Sequence, residues 1–529
     1  MRELDAVVVG AGFAGIAMLH RLRGLGLRAR VFEAGTGVGG TWFWNRYPGA
    51  RCDVESMEYS YQFSDALQQD WHWTERYATQ PEILRYLEHV VDRFDLRRDI
   101  QLNTRVESAV FDDATGRWQV ATSDGERLSA RFCIMATGCL SAANLPKLPG
   151  MDSFRGVKLH TGHWPHERVD LTGKRVGVIG TGSSAIQAIP LIAEQAAHLF
   201  VFQRTPNYSV PASNHPLDPD VQQRVKADYA GLRQTGSQMP FGFDVRFSDK
   251  SALEATEEER RVEYEERWRR GGLPFLGAYA DLLYSKEAND TAAAFIREKI
   301  RSIVRDPRVA EMLTPDTVVG CKRLCSDTGY FETFNRPNVT LVDVRRTPIE
   351  AVTPRGLRTT TDEYDLDCIV FATGFDAMTG ALLRIDIRGR DGLALARKWA
   401  EGPRTYLGVA TAGFPNLFIV TGPGSPSVLS NMVPSIEQHA NWIAACIGWM
   451  RDRGLARIEP TAEAEDAWVA HVNEVADGTL YPTCNSWYLG SNIPGKPRVF
   501  MPYLGFPIYV ERCNEVAAKG YEGFALQAP

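Results

Sequence analysis

The sequence predicts an α/β chain built around two Rossmann-type units, with a helical stretch inserted in the second. Three observations carry that reading. Two apolar, β-branched runs each break into a glycine-rich turn and then a helical pattern. Two further short apolar runs, Cys133 to Gly138 and Ile369 to Asp376, contain the same Ala-Thr-Gly ending. Between the second turn and the second Ala-Thr-Gly lies a Glu- and Arg-rich stretch with apolar residues at helical spacing.

The first unit reads LDAVVVGAGFAG, a strand running into Gly10-x-Gly12-x-x-Gly15 and then the helical IAMLHRLRGLG. Glycines at this spacing permit a tight turn, close approach of a pyrophosphate, and helix–strand packing with the phosphates at the helix N-terminus. The next strand, RARVFEAG, carries Glu33, 23 residues after Gly10, where a carboxylate can accept hydrogen bonds from ribose hydroxyls. Val38-Gly39-Gly40-Thr41-Trp42 follows, and its paired glycines suit backbone approach to a cofactor, which assigns Gly40, Thr41 and Trp42 to cofactor binding. Loop and block together are characteristic of FAD-binding flavoproteins with two dinucleotide-binding domains.

The second unit, KRVGVIGTGSSAIQAIPLIAEQA, repeats the arrangement as Gly180-x-Gly182-x-x-Ala185, with Thr181, Ser183, Ser184 and Gln187 completing the loop and helix start. Its following strand ends in Arg204, 24 residues after Gly180, with Thr205 beside it. A carboxylate there would repel a 2′-phosphate, whereas a guanidinium can grip one bidentately. The first loop therefore suits FAD and the second NADPH. In such an architecture the Ala-Thr-Gly ends mark where the chain crosses between the two nucleotide domains.

Composition excludes more than it identifies. The chain has 529 residues, 44% hydrophobic and 23% charged, with a formal net charge of −6. Without a basic block, nucleic acid and anionic membranes are poor candidate partners. No apolar run approaches the roughly 20 residues that span a bilayer. The opening MRELDAVVVG enters a strand within four residues, leaving no room for a signal peptide. The nine cysteines (52, 133, 139, 321, 325, 368, 446, 484 and 513) form no CxxC pair, and they read as reduced thiols of a cytoplasmic protein. No metal site is expected, and the chain is expected to be a monomer. Cys52 is the only cysteine before residue 133, so the dithiol relay of a disulfide reductase is missing near the first loop. Oxygen is then the leading electron acceptor.

FRGVKLHTGHWP, just ahead of the second unit, fits neither helix nor strand well and reads as a connector. Its Phe154-x-Gly156-x-x-x-His160-x-x-x-Trp164-Pro165 matches, spacing for spacing, the fingerprint of the type I Baeyer–Villiger monooxygenases. The blocks GGTWFWNRYPGARCDVES, GTGSSAIQ, QRTPNY, KRL, FATGFDAMTGAL, GPRTYLG and NSWYLGSNIPGKPR also resemble that family over nearly the whole chain. The phenylacetone and steroid monooxygenase branch is the nearer one.

The resemblance implies an NADPH-dependent flavin monooxygenase that converts aryl, cyclic or steroid-like ketones to esters or lactones through a C4a-peroxyflavin, with O2 as co-substrate and NADP+ retained through turnover. It implies that Arg323, in Cys321-Lys322-Arg323-Leu324, stabilises the anionic peroxide, because an arginine cannot lose its proton to it. Asp53 would orient that arginine. Lys322 would join Arg204 and Thr205 on the 2′-phosphate. Trp487 would belong to a mobile loop closing over the nicotinamide ribose and limiting decay to hydrogen peroxide. Val428, Leu429 and Met432, in GPGSPSVLSNM, would line the ketone pocket. Phe154 and Trp164 read mainly as core, His160 as a link between domains, and His163 as incidental.

The implied division is an FAD domain over residues 1–147 and 371–529, an NADPH domain over 148–214 and 322–370, and a helical subdomain over 215–321. One departure stands out: YLGFPIYVERC has a single Gly505 where relatives show two glycines, and it lacks a basic residue after the aromatic. Two other readings share the loops. A flavin monooxygenase oxidising nitrogen or sulfur would prefer a protonated, electrophilic hydroperoxide, against which Arg323 with Asp53 argues. A non-catalytic NADPH or flavin sensor would leave that pair unexplained.

Overall fold

The computed structural model describes residues 2–528; Met1 and Pro529 lie outside the described residues. Two sheets organise the chain, one around each glycine-rich turn. The first has eight strands, in the order Asp386–Arg388, Val106–Asp112, Arg117–Thr122, Arg127–Met135, Arg2–Val9, Ala29–Phe32 and Ile100–Gln101, with Leu417–Ile419 also paired to Arg127–Met135. Val8 sits opposite Val31 on one side and Ile134 on the other, both in parallel register. Both faces of the parallel part are covered, so its strands are continuously apolar: Ala6, Val7 and Val8 are all fully buried.

The second sheet is wholly parallel, in the order Val339–Asp343, His198–Gln203, Arg175–Ile179, Cys368–Phe371 and Val157–His160. Its last member corrects the reading of FRGVKLHTGHWP as a shapeless connector. Val157–His160 is an edge strand, with His160 opposite Phe371, and a 3-10 turn follows at Thr161–His163. Four residues with Val157 and Lys158 exposed give no alternation to read; the ladder to Cys368–Phe371 holds them extended.

The two Ala-Thr-Gly ends play the same part in each sheet. Gly10 has φ +103°, and a Cβ on it would meet the Ala136 carbonyl oxygen at 2.6 Å. Gly180, at φ +111°, is pressed in the same way against the Ala372 carbonyl. Each turn is thus seated on the end of the neighbouring strand, and only glycine fits there.

Between Arg204 and Arg323 the chain is mainly helical, with Pro219–Ala227, Tyr229–Ser237, Glu257–Arg270, Lys286–Ile303 and Pro307–Leu313. Thr256 caps Glu257–Arg270 in a capping box with Glu259. Its charges pair along and between helices, as Arg267–Glu263 at 2.7 Å and Lys299–Glu265 at 2.7 Å. The expectation of nine reduced thiols is overturned: Cys321 and Cys484 are joined in a disulfide across 163 residues, and the other seven are free and buried. Spacing rules see only local pairs, and this one is made by the fold.

Candidate active site

Arg323 and Asp53, 270 residues apart, meet in a fork. Arg323 Nε donates to Asp53 Oδ2 at 2.5 Å and Nη2 donates to Oδ1 at 2.9 Å. Nη1 donates to the Val428 carbonyl at 2.8 Å. Three of the five guanidinium hydrogens are thereby fixed, and two remain for an incoming acceptor. The side chains are 24% and 22% exposed, so the pair is largely sheltered but reachable. Burial works against the arginine's charge, and the adjacent Asp53 outweighs it, lifting the guanidinium above its ordinary range. This arginine stays charged at any working pH.

Asp53 is delivered by the block after Gly40. A Cβ on Gly12 would lie 3.3 Å from Gly40 Cα, so the two glycine backbones touch and leave a cradle with no side chain over it. Glu33 is 6% exposed and accepts from the backbone N–H of Ala11 at 2.8 Å and of Gly35 at 2.7 Å. Its carboxylate is thus pinned beside the turn with lone pairs to spare, which fits the ribose of a flavin dinucleotide. Trp42 is buried and donates through Nε1 to the Tyr59 hydroxyl at 3.2 Å; Thr41 beside it is exposed.

The second turn fits an NADP-type phosphate group. A Cβ on Gly182 would meet nothing within 4 Å, so open space lies before the N-terminus of Ser183–Gln195. Thr181 Oγ1 donates to the Thr205 carbonyl at 2.9 Å, tying the loop to the segment that carries Arg204. Burial and the nearby Arg204 both depress Lys322. Arg204 and Lys322 thus form a pair of neighbouring cations with no ion-pair partner among the described residues. Two like charges so placed await an anion.

The same helix joins the other parts. Ser184 Oγ lies 3.1 Å from Thr161 Oγ1 in the fingerprint, and Ser183 Oγ lies 3.2 Å from Cys325 Sγ, two residues past Arg323. Gln187 accepts from the Tyr47 hydroxyl at 2.8 Å and donates to the Arg51 carbonyl at 3.2 Å. A Cβ on Gly49, at φ +81°, would strike the Gln187 carbonyl at 2.5 Å. Tyr47, Gly49, Thr161 and Cys325 were not singled out from the sequence. A Pro-Gly turn after Tyr47 was the one available signal of a close backbone approach.

The fingerprint is divided between packing and polar contacts. Phe154 and Trp164 are buried in two different clusters, Gly156 makes room for the Asp367 carbonyl, and Pro165 ends the segment half-buried. The N–H of Gly162 donates to His160 Nδ1 at 2.9 Å, leaving Nε2 toward the Asn144 carbonyl at 3.4 Å. The His160 ring also packs edge-on to Phe375, with centroids 6.4 Å apart. Asn492 then donates to the Phe375 carbonyl at 2.7 Å, and Lys496 Nζ reaches Asp376 Oδ1 at 2.6 Å. Trp487, half-buried, sits in this same segment on a 3-10 turn against Tyr488. Val428 and Leu429 are buried beside Arg323, and Met432 opens the long helix Met432–Asp452. Gly505, at φ +103°, caps the helix Phe506–Ala518, and the Phe506 N–H donates to the Pro240 carbonyl at 3.0 Å. The lone glycine there is a helix start docked on the helical region.

Residues 7–263 match the family model described as pyridine nucleotide-disulphide oxidoreductase. The chain is 45% identical over 526 residues to a Baeyer–Villiger monooxygenase of Pseudooceanicola batsensis, covering 98% of this chain and 95% of that one. It is 44% identical to a phenazine N-monooxygenase of Lysobacter antibioticus, covering 99% and 97%. Among solved structures it is similar to an oxidised steroid monooxygenase bound to NADP, with a TM-score of 0.95, 56% identity and full coverage of both chains.

Proposed function

The chain belongs to the Baeyer–Villiger monooxygenases, and from that premise we propose the roles of its residues and the kind of ketone it takes. It is an NADPH-dependent flavin monooxygenase that consumes O2 and converts ketones to esters or lactones. FAD, when bound and reduced, supplies the activation of dioxygen.

Everything else falls to the chain. Arg323, held in register by Asp53 and by the Val428 carbonyl, offers its two free N–H groups to the negative charge that develops on oxygen. Arg204, Lys322 and Thr205 select NADPH by its 2′-phosphate. Gly10, Gly12, Gly15, Glu33 and the Gly40-Thr41-Trp42 block hold FAD; Gly180, Gly182, Ser183, Ser184 and Gln187 hold the nicotinamide dinucleotide. The segment 484–500, with Trp487, acts as the lid that keeps water out. His160 links lid and domains through Phe375. Val428, Leu429 and Met432 border the ketone, which the 56% identity to a steroid monooxygenase points toward a bulky cyclic compound. The division into FAD, NADPH and helical domains at the boundaries given above, a monomeric state and a cytoplasmic location complete the proposal; no helix among the described residues is long and apolar enough to cross a membrane.

The observation that carries this reading is the Arg323–Asp53 fork, at the meeting of the segments that follow both nucleotide turns. The test is turnover with FAD, NADPH and a panel of linear, aryl, cyclic and steroid ketones under 18O2. An ester or lactone with one heavy oxygen supports it. The identity to a phenazine N-monooxygenase favours a second reading, oxidation of a ring nitrogen, so the panel includes phenazine. N-oxide formation without any ester would put that reading first, and NADPH binding without consumption would favour the sensor.

A further inference from the structure

The Cys321–Cys484 disulfide stands at the junction of the catalytic segment and the lid. Cys321 immediately precedes Lys322 and Arg323, and Cys484 stands three residues before Trp487. Their Cα atoms are 5.5 Å apart. One end of the segment 484–500 is therefore fastened covalently to the strip that carries both cations.

Tyr488 and Phe500, 1% and 7% exposed, anchor two further points of that segment in the main core, both against the Tyr481 ring; the stretch 491–499 between them has few fastenings. Asn492 holds the Phe375 carbonyl, and Lys496 holds Asp376 Oδ1 and the Ala377 carbonyl at 2.6 and 2.7 Å. The only regular element of the whole segment is the three-residue turn Trp487–Leu489. The stretch 491–499, half-buried or exposed between those anchors, belongs to the low-stability end of a protein's local openings, and there each fastening counts. The polar ones form and break with thermal motion. The disulfide is the one fastening under chemical control.

Its surroundings favour a small reagent. Val318, Leu480 and Leu489 pack around the two sulfurs, and the residues are 6% and 7% exposed. The other seven cysteines are free and buried.

We propose that Cys321 and Cys484 form a reversible redox clasp that sets how tightly the lid 484–500 is held against the Lys322–Arg323 segment. The inference rests on the lid role proposed above. Oxidation is written as two thiols plus hydrogen peroxide giving the disulfide and two waters. The sulfurs lose two electrons and two protons, the S–S bond forms, and the O–O bond breaks. Hydrogen peroxide is what this enzyme releases when water reaches the site and oxygen activation is wasted, so a loose lid generates the oxidant that closes it. Reduction is exchange with two external thiols, which leave as their own disulfide.

The test uses the holoenzyme in three forms: oxidised with hydrogen peroxide, reduced with a phosphine or dithiol and then freed of it, and Cys484→Ser. Differential alkylation with mass spectrometry reads the state of Cys321 and Cys484. Hydrogen exchange reads the segment 484–500, and peroxide assay reads the share of NADPH wasted. The expected result is a disulfide formed and removed without loss of FAD. Exchange in 484–500 rises by about tenfold on reduction or in the variant, while the strands Arg2–Val9 and Arg175–Ile179 stay protected. Wild-type enzyme carries the test if the variant folds poorly. Thiols that peroxide leaves unjoined, a bond that native protein never releases, or unchanged loop exchange would each overturn the clasp. Looser exchange with an unchanged peroxide share keeps the clasp and overturns the lid role instead.

Discussion

Arg323 donates to the Val428 carbonyl at 2.8 Å while its other nitrogens grip Asp53, so the loop proposed to border the ketone and the proposed catalytic cation are joined directly. Replacing Arg323 with Ala removes the fixed charge and leaves Asp53 without its partner. The expected outcome is a loss of ester formation of about 10²- to 10³-fold, with NADPH still oxidised and the electrons recovered as hydrogen peroxide. Arg323→Lys restores little of it, because an ammonium has three N–H donors against five, and serving both carboxylate oxygens and the Val428 carbonyl would leave none for the developing charge. Product and peroxide measured in the same assay check this. Equal loss of NADPH oxidation and of product would shift the arginine's role to hydride transfer.

The Arg204–Lys322 pair makes a prediction with a pH sign. Removing either cation weakens NADPH binding by about 10- to 100-fold, as expected for a charge-assisted hydrogen bond, and leaves NADH little changed. Burial and then Arg204 depress Lys322, so in the free chain it sheds its proton at lower pH than an ordinary lysine. A bound 2′-phosphate favours the charged form, so binding takes up protons. Affinity for NADP+ therefore falls as pH rises through that depressed pKa, and the fall is absent in Lys322→Ala. Titration calorimetry in buffers of different ionisation enthalpy measures the uptake directly.

Much of this arrangement was legible from residues alone. The two glycine turns were readable because a pyrophosphate and a packed strand constrain both spacing and residue type, and Glu33 against Arg204 followed from charge at a fixed offset. Other features needed the fold. The disulfide joins residues 163 apart, and no local pattern marks it. Val157–His160 is a strand only because Cys368–Phe371 lies beside it. The Val428 contact uses a backbone carbonyl, which every residue has, so no side-chain type could announce it.

His160 gives a second pH dependence. The Gly162 N–H points at Nδ1, so the ring must be neutral there. Burial depresses its pKa, with His163 nearby adding to the effect and the Asn144 carbonyl opposing it. A histidine depressed in the folded state contributes stability that is fully present above its unfolded pKa of about 6.5, and this is lost as pH falls through the folded value. The buried His439, pushed down to about 3, acts in the same direction. The test is therefore a difference: melting temperature from pH 4.5 to 8 for wild type and His160→Asn. The wild type should lose more than the variant below pH 6.5. Parallel curves would remove His160 from the account.

Gly182 separates cofactor binding from folding more cleanly than any of the charged residues. Its φ of −83° is open to any side chain, and an added Cβ would meet nothing within 4 Å. Gly180, two residues earlier, has φ +111° and is pressed on the Ala372 carbonyl. Gly182 is the N-cap of Ser183–Gln195, so Gly182→Ala should cost no more than about 1 kcal/mol, the penalty of alanine at that position. The methyl group would nevertheless stand where the backbone must let a pyrophosphate approach, so NADPH affinity should drop by about tenfold or more while FAD content stays at wild-type level. Gly180→Ala should instead destabilise the whole second sheet, because the turn must lift off the strand end that seats it. Melting curves, flavin absorbance and NADPH titration on the two variants check both halves. If Gly182→Ala binds NADPH as wild type does, the open space before Ser183–Gln195 is not where the dinucleotide lies.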